Sequence, residues 1–314
     1  MPGMIPAPQI FEDWLRKQHG FQSARVTGIA LADGGASNIT CRVNLTGCTR
    51  PAVALRLQRE RGIFEPYDVL REARVLRCLA GSPVPVPAVL GEEPDAAVLG
   101  GPFIILEWVD APHMGEAGAE ADYGAYTAAV VAIHSLDWRA LGLGFLGEPA
   151  SPAAGVLAEV ETIAHRMRGF GCEDDPLLVR ALGLLRTKAP TDGRLALCQG
   201  DINVFNYLFR ARRVVAVVDW EQARISDPRS DVGHLVALGN LKGAPFGPAS
   251  EANFVRAYEA ASGRELPSME YFRARWLFEL GVIYHGWRTF NGSDPWYSWA
   301  DLTRLLEASL ASLR

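Results

Sequence analysis

Residues 195–231, LALCQGDINVFNYLFRARRVVAVVDWEQARISDPRSD, decide how the rest of the chain is read. The apolar run Leu195 to Cys198 leads into Gln199-Gly200-Asp201. Asn206 and the apolar Tyr207-Leu208-Phe209 follow, and a second run, Val214 to Val218, delivers Asp219-Trp220-Glu221. Short apolar runs bounded by Gly, Asp and Arg predict buried strands. The order is strand, loop, strand, acid, which puts Asp201 and Asp219 at strand ends facing one cleft.

These residue types have complementary chemistry. A hydroxyl attacking a nucleotide's terminal phosphate needs a carboxylate that orients it and accepts its proton, and Asp201, on a Gly-preceded turn, suits that task. Magnesium takes hard oxygen ligands, one or two of them from protein, and Asp219 and the side-chain carbonyl of Asn206 offer such atoms. Taken singly, Asp and Asn are more often turn formers than ligands. The ordered set, Asp-x-x-x-x-Asn and then a strand-borne Asp, is the kinase-type arrangement.

The segments Gln199 to Asn206, Val217 to Glu221 and Asp227-Pro228-Arg229-Ser230-Asp231 resemble the aminoglycoside phosphotransferase and choline kinase-like family. The resemblance implies that Asp201 is the catalytic base, that Asn206 and Asp219 bind magnesium, and that Asp231 braces the catalytic loop. It also leads one to expect His where this chain has Gln199. Glutamine carries both a donor and an acceptor, so it can tie the loop by hydrogen bonds, although it cannot titrate.

Toward the N-terminus, a short amphipathic helix is expected from Phe11 to His19, then strands near Val26–Leu31, Ile39–Leu45 and Ala52–Leu57. The loop containing Gly34, Gly35, Ser37 and Asn38 joins the first two, and its small residues would let backbone amides approach phosphate oxygens; alone, such a loop is only a turn. The third strand carries Arg56, the candidate cation for the α and β phosphates, where the family generally places Lys. None of the chain's three lysines lies on these strands. A helix from Glu65 to Leu79 carries Glu72, the carboxylate expected to hold that cation. The bland alternatives are a surface arginine on an edge strand and an exposed helix glutamate. Pro83 to Pro87 ends the helix in an extended segment. The run Phe103 to Val109 reads as a buried strand, and by resemblance Glu107, Trp108 and Val109 form the hinge whose backbone meets the adenine.

Past the hinge, helices are expected from Tyr123 to Leu136, as one or two over 150–190, and near Asp231–Leu241, Ala252–Ser262, Met269–Phe290 and Tyr297–Leu313. His134 is read as a packed core histidine rather than a base. Aromatic residues crowd the last third, mostly as core, with some available to line an acceptor pocket. Asp227, Asp294, Glu221 and Glu279 are the carboxylates placed to meet amino groups there.

The 314 residues are 49% hydrophobic and 21% charged, an ordinary globular composition with ample core. A net charge of -5 argues against nucleic acid as a partner. Five cysteines without paired spacing fit a reducing compartment. No run approaches a membrane span and no signal pattern opens the chain, so a cytoplasmic protein is expected.

The fold expected is α+β and two-lobed, protein kinase-like. Residues 1–108 form a small lobe of antiparallel sheet with one main helix, and residues 109–314 form a larger, mostly helical lobe. The function expected is magnesium-dependent transfer of the γ-phosphate of ATP or GTP to a hydroxyl of a small molecule. No Asp-Phe-Gly or Ala-Pro-Glu segment follows the catalytic loop, which disfavours a protein kinase. The alternative is a nucleotide-binding pseudokinase acting as an interaction protein, for which Gln199 and Arg56 speak and the intact Asp201, Asn206 and Asp219 do not.

Overall fold

The computed structural model describes residues 7–32, 37–118, 121–242 and 251–313. The chain divides into two compact units, Met1–Asp110 and Ala111–Arg314. In the first, helix α1 (Pro8–Leu15) precedes β1 (Arg25–Leu31), β2 (Ile39–Thr46) and β3 (Ala52–Leu57). Helix α2 (Val69–Leu79), β4 (Val89–Glu93) and β5 (Phe103–Glu107) complete it. The strands form one antiparallel sheet in the order β1-β2-β3-β5-β4, so β3 is its middle strand.

The period of two along a strand explains how this sheet uses its two faces. Cys41, Val43 and Leu45 on β2, with Val53, Leu55 and Leu57 on β3, share a core with Phe11, Trp14 and Leu15 of α1. Trp14 meets Phe103 edge-on at 4.7 Å and donates its indole N–H to Glu93 at 2.7 Å. Arg56 belongs to the alternate set, opposite Thr40 on β2 and Ile104 on β5.

Several boundaries differ from expectation. Helix α1 begins at Pro8 and ends at Leu15 rather than running from Phe11 to His19, because Pro8 can open a helix without wasting a backbone donor. Helix α2 starts at Val69 rather than Glu65. Asp68 caps it, its carboxylate accepting the amide of Arg71 at 2.9 Å, and Pro66 stands just before the cap. Strand β4 lies in what the sequence suggested only as an extended segment.

In the second unit come α3 (Tyr123–Ser135), α4 (Pro152–Gly169) and α5 (Pro176–Thr187), then β6 (Ala196–Cys198), β7 (Tyr207–Arg210), β8 (Arg213–Val217) and β9 (Arg224–Ser226). Helices α6 (Arg229–Gly239), α7 (Glu251–Ser262), α8 (Met269–Asn291) and α9 (Trp299–Ala311) close it. Strand β6 pairs antiparallel with β9, and β7 with β8. The segment from Pro112 to Met114 runs along β7, with the Phe209 amide donating to the Pro112 carbonyl at 2.8 Å. The turn between β7 and β8 places both Ala211 and Arg212 at positive φ, 49° and 59°.

Helix α8 is buried around most of its circumference, which marks it as the central helix of the unit. It crosses α6 so closely at Gly233 that a Cβ there would lie 2.7 Å from the Cβ of Phe272. Strand β9 was not anticipated, α6 starts two residues before Asp231, and Tyr297 precedes α9 instead of opening it. Among the described residues no helix is long and apolar enough to cross a membrane.

Candidate active site

The loop that follows β6 is fixed from below by one carboxylate. Asp231, in the first turn of α6 and fully buried, accepts the amides of Gln199 at 2.8 Å and Gly200 at 3.1 Å. Gly200 sits at φ +93°, and a Cβ there would collide with the carbonyl of Gln222, so the loop needs glycine at this point. His134 Nε2 lies 3.1 Å from Asp231, and its Nδ1 lies 2.8 Å from the Tyr258 hydroxyl. Burial opposes the charge of Asp231. The His134 hydrogen bond and the nearby Arg224 guanidinium outweigh it and hold the carboxyl below its ordinary range. His134 is thus a satisfied core residue behind the loop.

Gln199 uses both ends of its amide. Its Nε2 donates to the Val218 carbonyl at 2.8 Å, and its Oε1 accepts the Tyr207 hydroxyl at 2.7 Å. The first contact ties the loop to the end of β8, where Asp219 begins. Asn206 Nδ2 donates to the carbonyl of Asp201 at 2.9 Å, and the Asn206 carbonyl accepts the Val218 amide at 2.9 Å. Asp201, Asn206 and Asp219 are therefore parts of one hydrogen-bonded frame.

Asp219 itself sits at φ +62°, a left-handed conformation uncommon for any residue but glycine. Fully buried Trp220 anchors it from the next position by donating to the Val217 carbonyl at 2.9 Å. Such strain persists where surrounding structure over-determines it, and it concentrates at functional sites. The Asp201 carboxyl is pushed up to about 7, first by burial and then by the negative charge of Asp219. Two like charges held this way invite a cation. The atoms on offer, a carboxylate and an amide oxygen whose nitrogen is already engaged, are the hard oxygen donors that magnesium takes.

Beneath the loop lies a buried ionic network that no local sequence pattern announced. Glu159 of α4 meets Arg224 at 3.0 Å and Arg275 of α8 at 2.8 Å, and it accepts the Ser230 hydroxyl at 2.8 Å. Glu279 meets Arg275 at 2.9 Å and Arg166 at 3.0 Å. This corrects one expectation. Glu279 is spent on two arginines and Asp227 on Arg229 at 2.9 Å, so these two carboxylates are not waiting for amino groups, whereas Asp294 is exposed, 3.4 Å from Arg288.

The sequence reading also passed over His234. It lies on α6, three residues after Asp231, and its Nδ1 is 3.4 Å from Asp201 Oδ1. The spacing of three, which puts two helix residues on one face, was the available signal.

In the first unit, Arg56 and Glu72 form a pair of 3.0 Å with side chains 9% and 1% exposed. The middle position of β3 rules out the edge-strand surface arginine, and the burial of Glu72 rules out the exposed helix glutamate. Asn38 is buried and accepts the Arg59 amide at 3.2 Å; Ser37 is buried beside it, while Gly34 and Gly35 lie outside the described residues. At the end of β5, Glu107 accepts the Ala88 amide at 3.3 Å. Arg42 lies over the Trp108 ring at 5.0 Å, and Val109 is half-buried beyond the strand.

The chain has relatives among known proteins. Over 233 residues the chain is 27% identical to acyl-CoA dehydrogenase family member 10 of Mus musculus, covering 71% of this chain and 21% of that protein. It is likewise 27% identical over 295 residues to acyl-CoA dehydrogenase family member 11 of Gallus gallus, covering 84% of this chain and 37% of that one. The chain therefore spans only about a fifth to somewhat over a third of these relatives. Among solved structures, macrolide 2'-phosphotransferase MphH from Brachybacterium faecium matches with a TM-score of 0.58 at 18% identity, covering 98% of this chain and 97% of that one. Aminoglycoside phosphotransferase APH(4)-Ia matches with a TM-score of 0.64 at 15% identity, over 98% and 99% of the two chains. At these identities the structures establish the protein kinase-like fold. Residues 28–272 match the sequence model of the phosphotransferase enzyme family, and the chain belongs to that family.

Proposed function

We propose that this protein transfers the γ-phosphate of ATP or GTP to a hydroxyl of a small molecule, with magnesium. The observation that carries the reading is the single hydrogen-bonded frame that holds Asp201, Asn206 and Asp219 together at the ends of β6 and β8. Asp201 orients the acceptor hydroxyl and takes its proton. Asn206 and Asp219 hold magnesium, which when bound neutralises charge on the phosphates. Gln199 and Asp231 keep the loop in place.

In the first unit Arg56, held by Glu72, binds phosphate oxygens. Ser37 and Asn38, the described end of the glycine-containing loop, lie toward them, and the backbone around Glu107, Trp108 and Val109 receives the base. A thermostable mutant of APH(4)-Ia, similar to this chain in fold, was solved as a ternary complex with ADP and hygromycin B, which supports a nucleotide donor and a hydroxylated acceptor here. With Glu279 and Asp227 spent on arginines, those two carboxylates are not the ones that would meet amino groups of an acceptor.

The test is magnesium-dependent ATP and GTP consumption, with and without a pooled library of hydroxylated amines, amino sugars, macrolides and small alcohols. Asp201→Asn is run beside the wild type. Stimulation by the pool, abolished in the variant, supports the transferase. Nucleotide binding without turnover by any acceptor favours the second reading, a pseudokinase acting as an interaction protein, for which Arg56 in place of the usual lysine is the motivating observation.

A further inference from the structure

His234 is a titratable group beside Asp201 that the proposed reaction leaves without a task. We propose that His234 is a positioning residue: its Nδ1–H donates to Oδ1 of Asp201, leaving Oδ2 to receive the proton of the acceptor hydroxyl. The inference rests on the reading of Asp201 as the base.

The placement of the ring is specific. His234 is buried on α6, one turn beyond the Asp231 that braces the loop, so the helix that fixes the loop backbone also aims this imidazole. The ring stacks on Trp276 at 4.0 Å and 19°, and Trp276 is itself held by a hydrogen bond to the Ser230 carbonyl and by Arg275 at 4.3 Å. Nδ1 lies 3.4 Å from Oδ1 of Asp201 and has no formed hydrogen bond among the described residues. That distance is long for a formed bond, as catalytic contacts often are before substrate arrives. The Asn203 amide also approaches Oδ1, at 3.3 Å, so both contacts fall on the same oxygen.

The charge state agrees with a neutral donor. Burial, aided by Arg275 and Arg224 against the opposing charge of Asp231, pushes the imidazole down to about 3. A neutral imidazole carries one N–H. On Nδ1 it meets a carboxylate favourably; on Nε2 it would turn a bare lone pair toward the Asp201 oxygen. In the transfer, the hydroxyl O–H bond breaks and its proton goes to Oδ2. The new O–P bond forms as the γ-phosphate separates from the nucleoside diphosphate, which keeps the electron pair.

The first test needs no turnover. Protein with ¹⁵N-labelled histidine is examined by NMR, with the His234 signals identified by their loss in His234→Asn. The neutral Nδ1–H tautomer is expected between about pH 6 and 8, with its shifts moving in Asp201→Ala. An Nε2–H tautomer overturns the proposal, and this readout holds even if no acceptor in the library is turned over. The second test is kinetic. His234→Ala is expected to lower kcat about tenfold, the value of one lost hydrogen bond, with nucleotide KM little changed and Tm lowered by the lost packing on Trp276. His234→Asn, whose amide nitrogen can sit where Nδ1 was, should recover most of that loss, and His234→Gln should not. A wild-type kcat in His234→Ala, or equal recovery by Asn and Gln, overturns it.

Discussion

Gln199 and Arg56 both stand where the family resemblance leads one to expect another residue, His in the first case and Lys in the second, yet the two environments differ. Gln199 is enclosed by its own chain: amide nitrogen to Val218, amide oxygen from Tyr207, backbone to Asp231. Arg56 pairs with Glu72 and lies with it between sheet and helix. A side chain that holds the protein together is replaceable by any group with the same donors and acceptors in reach. A side chain meant for a ligand is judged by the ligand, and a planar guanidinium is not an ammonium. Gln199 is therefore expected to act on stability and Arg56 on nucleotide recognition.

The largest effect should come from breaking the Arg56 side. Arg56→Met removes the guanidinium from a Glu72 that is 1% exposed. It should cost about 3 kcal/mol or more in urea unfolding, since an unpaired buried charge is expensive. Adding Glu72→Leu should return most of that stability while nucleotide affinity stays lost. If stability and affinity recover together, the pair is only structural and the contrast with Gln199 fails. Next, Gln199→Leu should cost about 2 kcal/mol, because the Val218 carbonyl and Tyr207 hydroxyl are left without their partner. Gln199→His should cost less, measured the same way.

A smaller effect separates stability from chemistry at Asp201. Its carboxyl lies near 7 in the fold against an ordinary value near 4, so its ionised form opposes folding. That penalty is complete above about pH 7 and disappears as pH falls toward 4. In metal-free protein, Asp201→Asn should therefore raise stability at pH 8, by on the order of 1 kcal/mol given the partial exposure of the side chain, and not at pH 4. An equal change at both pH values would sink the idea. The smallest effect lies away from both positions. Ala211→Asn should stabilise the β7–β8 turn by up to about 1 kcal/mol, because Ala211 sits at positive φ, while Arg212 is kept for its ion pair with Asp122. A thermal melt should register it with no change in nucleotide binding.

The frame of the site was legible in the sequence because its chemistry is local. Asp201 and Asn206 are five residues apart, and the apolar run of β8 announces Asp219. The strands β1, β2, β3 and β5 were visible through their apolar runs. Strand β4 was not, since Gly91 and two glutamates erase any alternation, and β9 is only three residues long. Long-range pairs were beyond reach: nothing near Glu159 in sequence says that Arg275 will neutralise it, and that same ignorance let Glu279 look like a ligand for amines. His234 was hidden for another reason. Its helix was recognised, but the face it shares with Asp231 was not followed through to the loop.

The left-handed backbone of Asp219 narrows what evolution can do at that position. Most other side chains there would cost about 1–2 kcal/mol of folding stability. Asn and Gly are the replacements that the conformation accepts, and each lies one base change from an aspartate codon. Both erase the negative charge. The shortest mutational path out of this position therefore removes the charge proposed to hold magnesium while the backbone stays at ease, so losing that charge need leave no trace in stability or expression.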